Sequence, residues 1–273
     1  MSARAAGGFA QPKRRRHITV MRTGYFAGLS EVPCVAQPIP RMSYAAELRA
    51  LTAEGIRMGG LAEAQVVDAV DAVVRRDVPL AQALIVRDLR LDAMQADIER
   101  RALALIADRN PSDEDLRRAV SAMKLAMNLE RCGDLARNIA KRSLVLSGSD
   151  PVLPLMSAIA RMGRLVAARL HEVLDAYAQQ EIDAAMAVWR RDEEVDEHYE
   201  SIFRELLTLM ANEPETVAPG AHLLFIAKNL ERIGDHATNI AEILHFELTG
   251  EELNQPRPKV SLLEADAMRD IQP

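Results

Sequence analysis

Apolar residues recur along most of the chain in steps of three and four, the spacing of a buried stripe on an α-helix. One stripe near the C-terminal end consists of Leu223, Ile226, Leu230, Ile233, Ala237, Ile240 and Leu244. A second, nearer the middle, consists of Ala122, Leu125, Leu129, Cys132, Ala136 and Ile139. Runs that alternate apolar and polar residues, as half-buried strands do, are almost absent. The pattern predicts an all-α fold.

The stripes and the residues that interrupt them predict six helices. Pro79 is tolerated in the first turn of a helix that begins near Asp77, and Ser112 with Asp115 resembles a capping box. Gly250 is expected to end the last helix, and Pro219 predicts a kink or a late start there. The predicted segments are about 43–76, 77–108, a third beginning after residue 112, 153–179, 183–211, and a last one reaching about Leu248.

Gly, Ser and Pro divide these helices into two groups of three. The run Ser147-Gly148-Ser149-Asp150-Pro151 is typical of a linker. The fold predicted is therefore two tandem three-helix bundles, one over residues 42–148 and one over 149–250. Residues 1–41, rich in Gly, Pro and Arg, are predicted to be a disordered extension, and residues 251–273 a flexible tail.

One fifteen-residue stretch occurs twice. Residues 126–140 read AMNLERCGDLARNIA and residues 227–241 read AKNLERIGDHATNIA, so eleven of fifteen positions agree at an offset of 101. Agreement of this extent indicates that the two halves are copies of one unit.

Both copies carry carboxylates that the apolar stripe does not require. Glu130 and Asp134, and their counterparts Glu231 and Asp235, are one turn apart and are predicted to point away from the buried seam. A second pair stands on the preceding helix of each half, at an offset of 104, and is also expected to point outward. If neighbouring helices bring the pairs together, each half has four carboxylates: Asp88, Asp92, Glu130 and Asp134, and then Asp192, Asp196, Glu231 and Asp235. The alternative is a solvated acidic face inherited by duplication.

Four carboxylates without a repeated His or Cys predict a site for hard cations. Magnesium, manganese or calcium fit best, and iron or zinc fit where carboxylates bridge several ions. Gly133 and Gly234 are expected to allow the close approach of a neighbouring helix or a bound group, or simply to pack against their neighbours. Arg131 and Arg232 make surface ion pairs or offer a fork to phosphate. His236, Trp189, Met123 and Met127 have no repeated counterpart and are assigned to packing.

Composition and charge favour some classes of function and location over others. Hydrophobic residues make up 49% of the 273 residues and aromatic ones 4%; the net charge is −6, of which residues 1–40 contribute +5. An acidic body argues against nucleic acid as the partner. Cys34 and Cys132 share no motif spacing, and neither a membrane-spanning run nor a signal peptide is present, so we expect a cytoplasmic protein.

The segments NLERCGDLARNIAKR and LLFIAKNLERIGDHATNIAEIL resemble the two characteristic segments of the PhoU family, and the resemblance extends from about Met42 to Gly250. It implies tandem three-helix bundles that associate as homodimers, and metal clusters bound through the eight carboxylates named above. It also implies a negative regulator of the phosphate-starvation (Pho) response. Such a regulator connects the ATPase of the high-affinity phosphate transporter (Pst) to a PhoR-type sensor histidine kinase. Residues 1–41 depart from the usual start of the family.

Two other interpretations stay open at this point. A ferritin-like di-metal oxidase needs a Glu-x-x-His from each of two helices. This chain has one such spacing, Glu242 to His245. A generic helical adaptor would use its acidic stripes to face a basic partner without metal. The sequence shows no nucleophile, phosphate-binding glycine loop or triad, so we predict no catalytic activity.

Overall fold

The computed structural model describes residues 43–108, 111–148 and 153–253. They form eight α-helices and one 3-10 turn, with no strand among them. The helices are α1 Tyr44–Arg75, α2 Val78–Arg87, α3 Leu89–Asp108, α4 Asp113–Leu146, α5 Leu153–Gln179, α6 Ile182–Trp189, α7 Glu193–Asn212 and α8 Val217–Thr249, with the 3-10 turn at Pro214–Thr216. The extension 1–41 and the tail beyond 253 lie outside the described residues.

The helices form two bundles in chain order. α1, the pair α2–α3 and α4 pack together, and α5, the pair α6–α7 and α8 repeat that arrangement. The prediction of an all-α fold with two tandem three-helix bundles is confirmed. No helix in the described ranges is both long enough and apolar enough to cross a membrane.

Local signals set the helix ends where the sequence predicts them. The side chain of Ser112 accepts a hydrogen bond from the backbone N–H of Asp115 at 3.2 Å, which caps α4. Asp77 caps α2 in the same way, with Pro79 in the first turn. At the end of α8, Gly250 takes φ +77°, a conformation that glycine adopts without steric cost.

The second helix of each bundle is interrupted, whereas the sequence pattern predicts it to be continuous. Near Asp88 the N–H of Leu91 bonds to the Asp88 carbonyl at 2.8 Å, a three-residue spacing that tightens the turn. The same spacing occurs around Asp192, where Val195 N–H bonds to the Asp192 carbonyl at 3.1 Å. Both breaks coincide with the first aspartate of a D-x-x-x-D pair. The duplication therefore preserves the interruption together with the acid.

The two bundles share one hydrophobic core. A Cβ added to Gly59 on α1 would lie 2.6 Å from Leu174 on α5, and one added to Gly163 on α5 would lie 2.5 Å from Val70 on α1. These contacts are reciprocal, because Gly163 and Leu174 are the counterparts of Gly59 and Val70 at an offset of 104. α4 also packs against α8. The halves therefore face each other with an approximate two-fold relation, which places the aspartate breaks in equivalent positions.

Candidate metal centre

Three of the four predicted carboxylates of the first half meet where α3 begins. Asp88 lies at the break between α2 and α3, Asp92 lies in the first turn of α3, and Asp134 projects from α4. One oxygen from each lies within 4.8 Å of the others. Two ligands on opposite sides of one divalent ion, at about 2.0–2.6 Å each, are separated by a similar distance. The donor set and its spacing therefore fit a hard cation.

The buried member of this trio is held by its neighbours on two helices. Asp88 is 1% exposed, and the Gln65 side chain on α1 donates a hydrogen bond to its Oδ1 at 2.9 Å. Gln65 also donates to the Gly133 carbonyl at 3.2 Å. A Cβ on Gly133 would lie 2.9 Å from Asp88 Oδ1 and 2.4 Å from Leu91 Cδ1. The repeated glycine thus serves a close approach of the aspartate break to α4.

Electrostatics favour a cation at this place. Burial raises the pKa of Asp88, and the neighbouring Asp92 and Asp134 raise it further, against the hydrogen bond from Gln65 and the charge of Arg137. Burial and Asp134 likewise raise the pKa of Glu130, although Glu130 does not belong to the trio that meets within 4.8 Å. A cation that neutralises the cluster would relieve this repulsion.

Arg137 is a site residue that sequence reasoning missed. Its Nη1 pairs with Asp88 Oδ2, and its Nη2 lies 2.7 Å from Asp134 Oδ1. Arg131, for which the sequence predicted a surface ion pair or a contact with phosphate, is 57% exposed. Its guanidinium nitrogens lie 3.5 Å from carboxylate oxygens of Glu130 and Asp134, as in an ordinary surface ion pair. The signal for Arg137 is a mismatch between the two motif copies, because its counterpart in the repeat is Thr238.

The second half arranges its carboxylates differently. Asp192 accepts a hydrogen bond from the Thr238 hydroxyl at 2.8 Å, and Glu231 pairs with Lys228 at 2.8 Å. Asp196 and Asp235 are partly exposed. Within the described ranges, these four do not form a trio as close as that of the first half. Their assignment as a second metal site stays a prediction.

The expectation that all the carboxylates point outward is wrong for the two at the helix breaks. Asp88 is 1% exposed and Asp192 is 6% exposed. The tightened turns direct Asp88 toward Gln65 on α1 and Arg137 on α4, and Asp192 toward Thr238 on α8. These partners supply hydrogen bonds or charge. Spacing of i and i+4 identifies residues on a common face but does not reveal what that face packs against.

Most residues that the sequence assigns to packing do pack in the structure, but the assignment is wrong for Met127, which is 49% exposed. Cys132 is fully buried, and burial raises its pKa to about 12. Trp189 is 4% exposed and donates to Glu242 at 3.0 Å. His236 contacts Asn128 across the α4–α8 seam at 2.9 Å.

The Glu-x-x-His spacing of a ferritin-like site does not bring its members to one place. Glu242 accepts the hydrogen bond from Trp189, whereas His245 Nδ1 lies 3.0 Å from the carbonyl of Glu251. Neither residue belongs to the carboxylate trio.

Comparison with known proteins finds a matching family model, similar relatives and similar solved structures. The model of the PhoU domain matches residues 56–143 and 159–244. A phosphate-specific transport system accessory protein PhoU homolog of Caulobacter vibrioides is 60% identical over 221 residues, covering 81% of this chain and 96% of the relative. A homolog of the same name from Rhizobium meliloti is 45% identical over 213 residues, covering 78% and 90%.

The solved structures show the same architecture. The crystal structure of PhoU from Pseudomonas aeruginosa matches with a TM-score of 0.74 and 34% identity, over 77% of this chain and 100% of that one. The phosphate transport system regulatory protein PhoU from Streptococcus pneumoniae matches with a TM-score of 0.72 and 29% identity, over 78% and 100%.

Proposed function

The chain belongs to the PhoU family, and we propose that it is a negative regulator of the phosphate-starvation response. In this proposal it links the ATPase subunit of the high-affinity phosphate transporter (Pst) to a PhoR-type sensor histidine kinase and modulates phosphate uptake. It works in the cytoplasm, as a homodimer, and reaches the membrane only through these partners.

The observation that carries the proposal is the extent of the similarity. The relative from Caulobacter vibrioides is named as an accessory protein of phosphate-specific transport, and the alignment covers 96% of its length at 60% identity. Both family-model matches fall on the two bundles, one on each. A function that needs both repeats can therefore be carried over as a whole.

Regulation by such a protein operates through binding. A partner shifts between two states only if the regulator binds one of them more tightly than the other. The carboxylate pairs are the sites that we propose for metal, with Asp88, Asp92, Glu130 and Asp134 in the first half and Asp192, Asp196, Glu231 and Asp235 in the second. Iron, zinc, manganese or magnesium would neutralise these acids and fix α3 against α4, and α7 against α8.

Affinity capture tests the partnership directly. The full chain, immobilised, should retain the purified transporter ATPase and the cytoplasmic part of the sensor kinase, and a chelator should weaken at least one of these interactions if metal supports the binding surface. An unrelated ABC-transporter ATPase is the control. Equal retention of the control ATPase, or no retention of either partner, would count against the proposal.

A metal-free helical adaptor is the second candidate function. The observation in its favour is Arg137, an internal cation that already contacts two carboxylates of the first-half trio. Elemental analysis of purified protein separates the candidates, because the adaptor requires no bound metal and the metal-dependent regulator does.

A further inference from the structure

The two carboxylate sets differ at one position of the repeat. Arg137 on α4 aligns with Thr238 on α8. Arg137 contacts Asp88 and Asp134, whereas Thr238 donates a hydrogen bond to Asp192, the counterpart of Asp88. The place beside the buried aspartate is thus taken by a permanent cation in the first half and by a neutral hydroxyl in the second.

We propose that Arg137 is a tethered counter-ion that competes with divalent metal for the Asp88–Asp92–Asp134 cluster and thereby weakens metal binding there. This inference rests on the proposed metal-binding function. It assigns Arg137 a role of its own, which is to set the affinity of one site.

The competition follows from the atoms that each cation needs. The guanidinium pairs with Asp88 Oδ2 and Asp134 Oδ1, which belong to two of the three carboxylates that meet. Asp88 Oδ1 is already engaged by Gln65, so Oδ2 is the contested oxygen of this residue. An arginine side chain does not lose its proton in proteins, and it therefore cannot make room by becoming neutral. It has to move.

Arg137 is placed so that it can move. Its side chain is 24% exposed, so it borders on solvent. Its Nε is buried without a hydrogen-bond partner among the described residues. Its head group contacts two of the three carboxylates of the cluster. A metal that binds these carboxylates would release the guanidinium toward solvent.

Arg131 and Lys228 do not account for the difference between Arg137 and Thr238. Arg131 is repeated as Arg232, so it is common to both halves. Lys228 pairs with Glu231, the counterpart of Glu130, which stands outside the first-half trio. Lys228 is also 46% exposed. Arg131 therefore supplies a control, because its removal takes the same charge from the same helix without opening the contested place.

Titration of the full chain with Mn²⁺, after treatment with a chelator, tests the proposal. Electron paramagnetic resonance measures the free Mn²⁺ at each step. Arg137→Thr, which introduces the residue of the second half, should tighten Mn²⁺ binding at the first-half cluster about tenfold or more. Arg131→Thr should change it by less than about fivefold, as expected of an exposed ion pair.

Two further variants identify the site and guard against misfolding. Adding Asp88→Asn to Arg137→Thr should abolish the gain, which places it in the first half. Arg137→Gln keeps a long polar side chain and should also tighten binding if the threonine variant folds poorly.

The outcomes separate this inference from the metal function itself. Unchanged or weaker Mn²⁺ binding in both Arg137 variants would overturn the inference, as would an equal gain from Arg131→Thr. A merely structural arginine would give a loss and not a gain. Absence of Mn²⁺ binding in the wild type and in every variant would instead overturn the metal function, and the inference with it.

Discussion

Asp88 shows at the scale of one residue how a charged side chain is kept inside this fold. It has 1% exposure, one hydrogen bond from Gln65 and an ion pair with Arg137. A buried carboxylate without such partners is costly. The sequence predicted its membership of an acidic set correctly. Its burial and its partner on α1 could not be predicted, because Gln65 is distant in sequence and belongs to no motif.

The close contact at Gly133 gives a prediction about stability. Gly133→Ala would place a methyl group against Leu91 and Asp88 Oδ1, and the latter is held by Gln65. We expect a loss of about 1–3 kcal/mol in the free energy of unfolding. Gly60→Ala, with nothing within 4 Å, should instead gain up to about 1 kcal/mol from helix propensity. Urea denaturation measures the free energy of unfolding of both variants. Equal stabilisation by both substitutions would contradict the close contact at Gly133.

Glu247 gives a prediction about pH. Burial raises its pKa, against the hydrogen bond from Tyr177 and the charge of Arg118. At a pH above about 4.3, the folded chain therefore keeps a proton that the unfolded chain has released. The contribution of Glu247 to stability therefore falls as the pH rises from that value through the raised folded pKa. Asp88 and Glu130, whose pKa values are also raised, act in the same direction.

Glu247→Gln should reduce this loss of stability. The amide still accepts from Tyr177 but does not titrate. Urea unfolding at roughly pH 5 and pH 8 should show a smaller difference in the variant than in the wild type. The exposed Glu215→Gln is the control and should leave the difference unchanged. A Glu247→Gln profile parallel to that of the wild type would contradict the assignment.

At the scale of helices, the sequence predicted where elements begin and end better than where they break. The helix starts near Asp77 and Ser112 and the helix end at Gly250 were predicted from local signals that act within one turn. The breaks near Asp88 and Asp192 carry no glycine or proline at the turn itself. They depend on contacts with other helices, which periodicity along one segment does not report.

The contacts between the bundles lead to a prediction about separate halves. Fragments 42–148 and 153–250 should each be helical by far-UV circular dichroism, because each has its own three helices. Each fragment also exposes the surface that α1–α5 and α4–α8 packing covers in the whole chain. Mixing them should therefore give a 1:1 complex on size-exclusion chromatography. Two unfolded fragments, or two folded fragments that do not associate, would argue against this division of the chain.

At the scale of the whole molecule, duplication explains most of what could be predicted. Two copies of one motif are enough to identify the repeat, the helical fold and the eight candidate carboxylates from the sequence alone. Positions at which the two copies differ show how the two carboxylate sets differ, which the shared motif does not predict. The replacement of Arg137 by Thr238 is one of these, and the different pairing of Glu130 and Glu231 is another.

The central claim is that this PhoU-family chain keeps the phosphate-starvation response off, and a starvation-promoter reporter in phosphate-rich medium tests it most directly. Deleting the gene should leave the reporter switched on, and deleting the sensor-kinase gene as well should switch it off again. Supplying the chain without residues 1–41 should restore repression, because both bundles are retained. Low reporter expression in the deletion strain, indistinguishable from that of the wild type at high phosphate, would contradict the account.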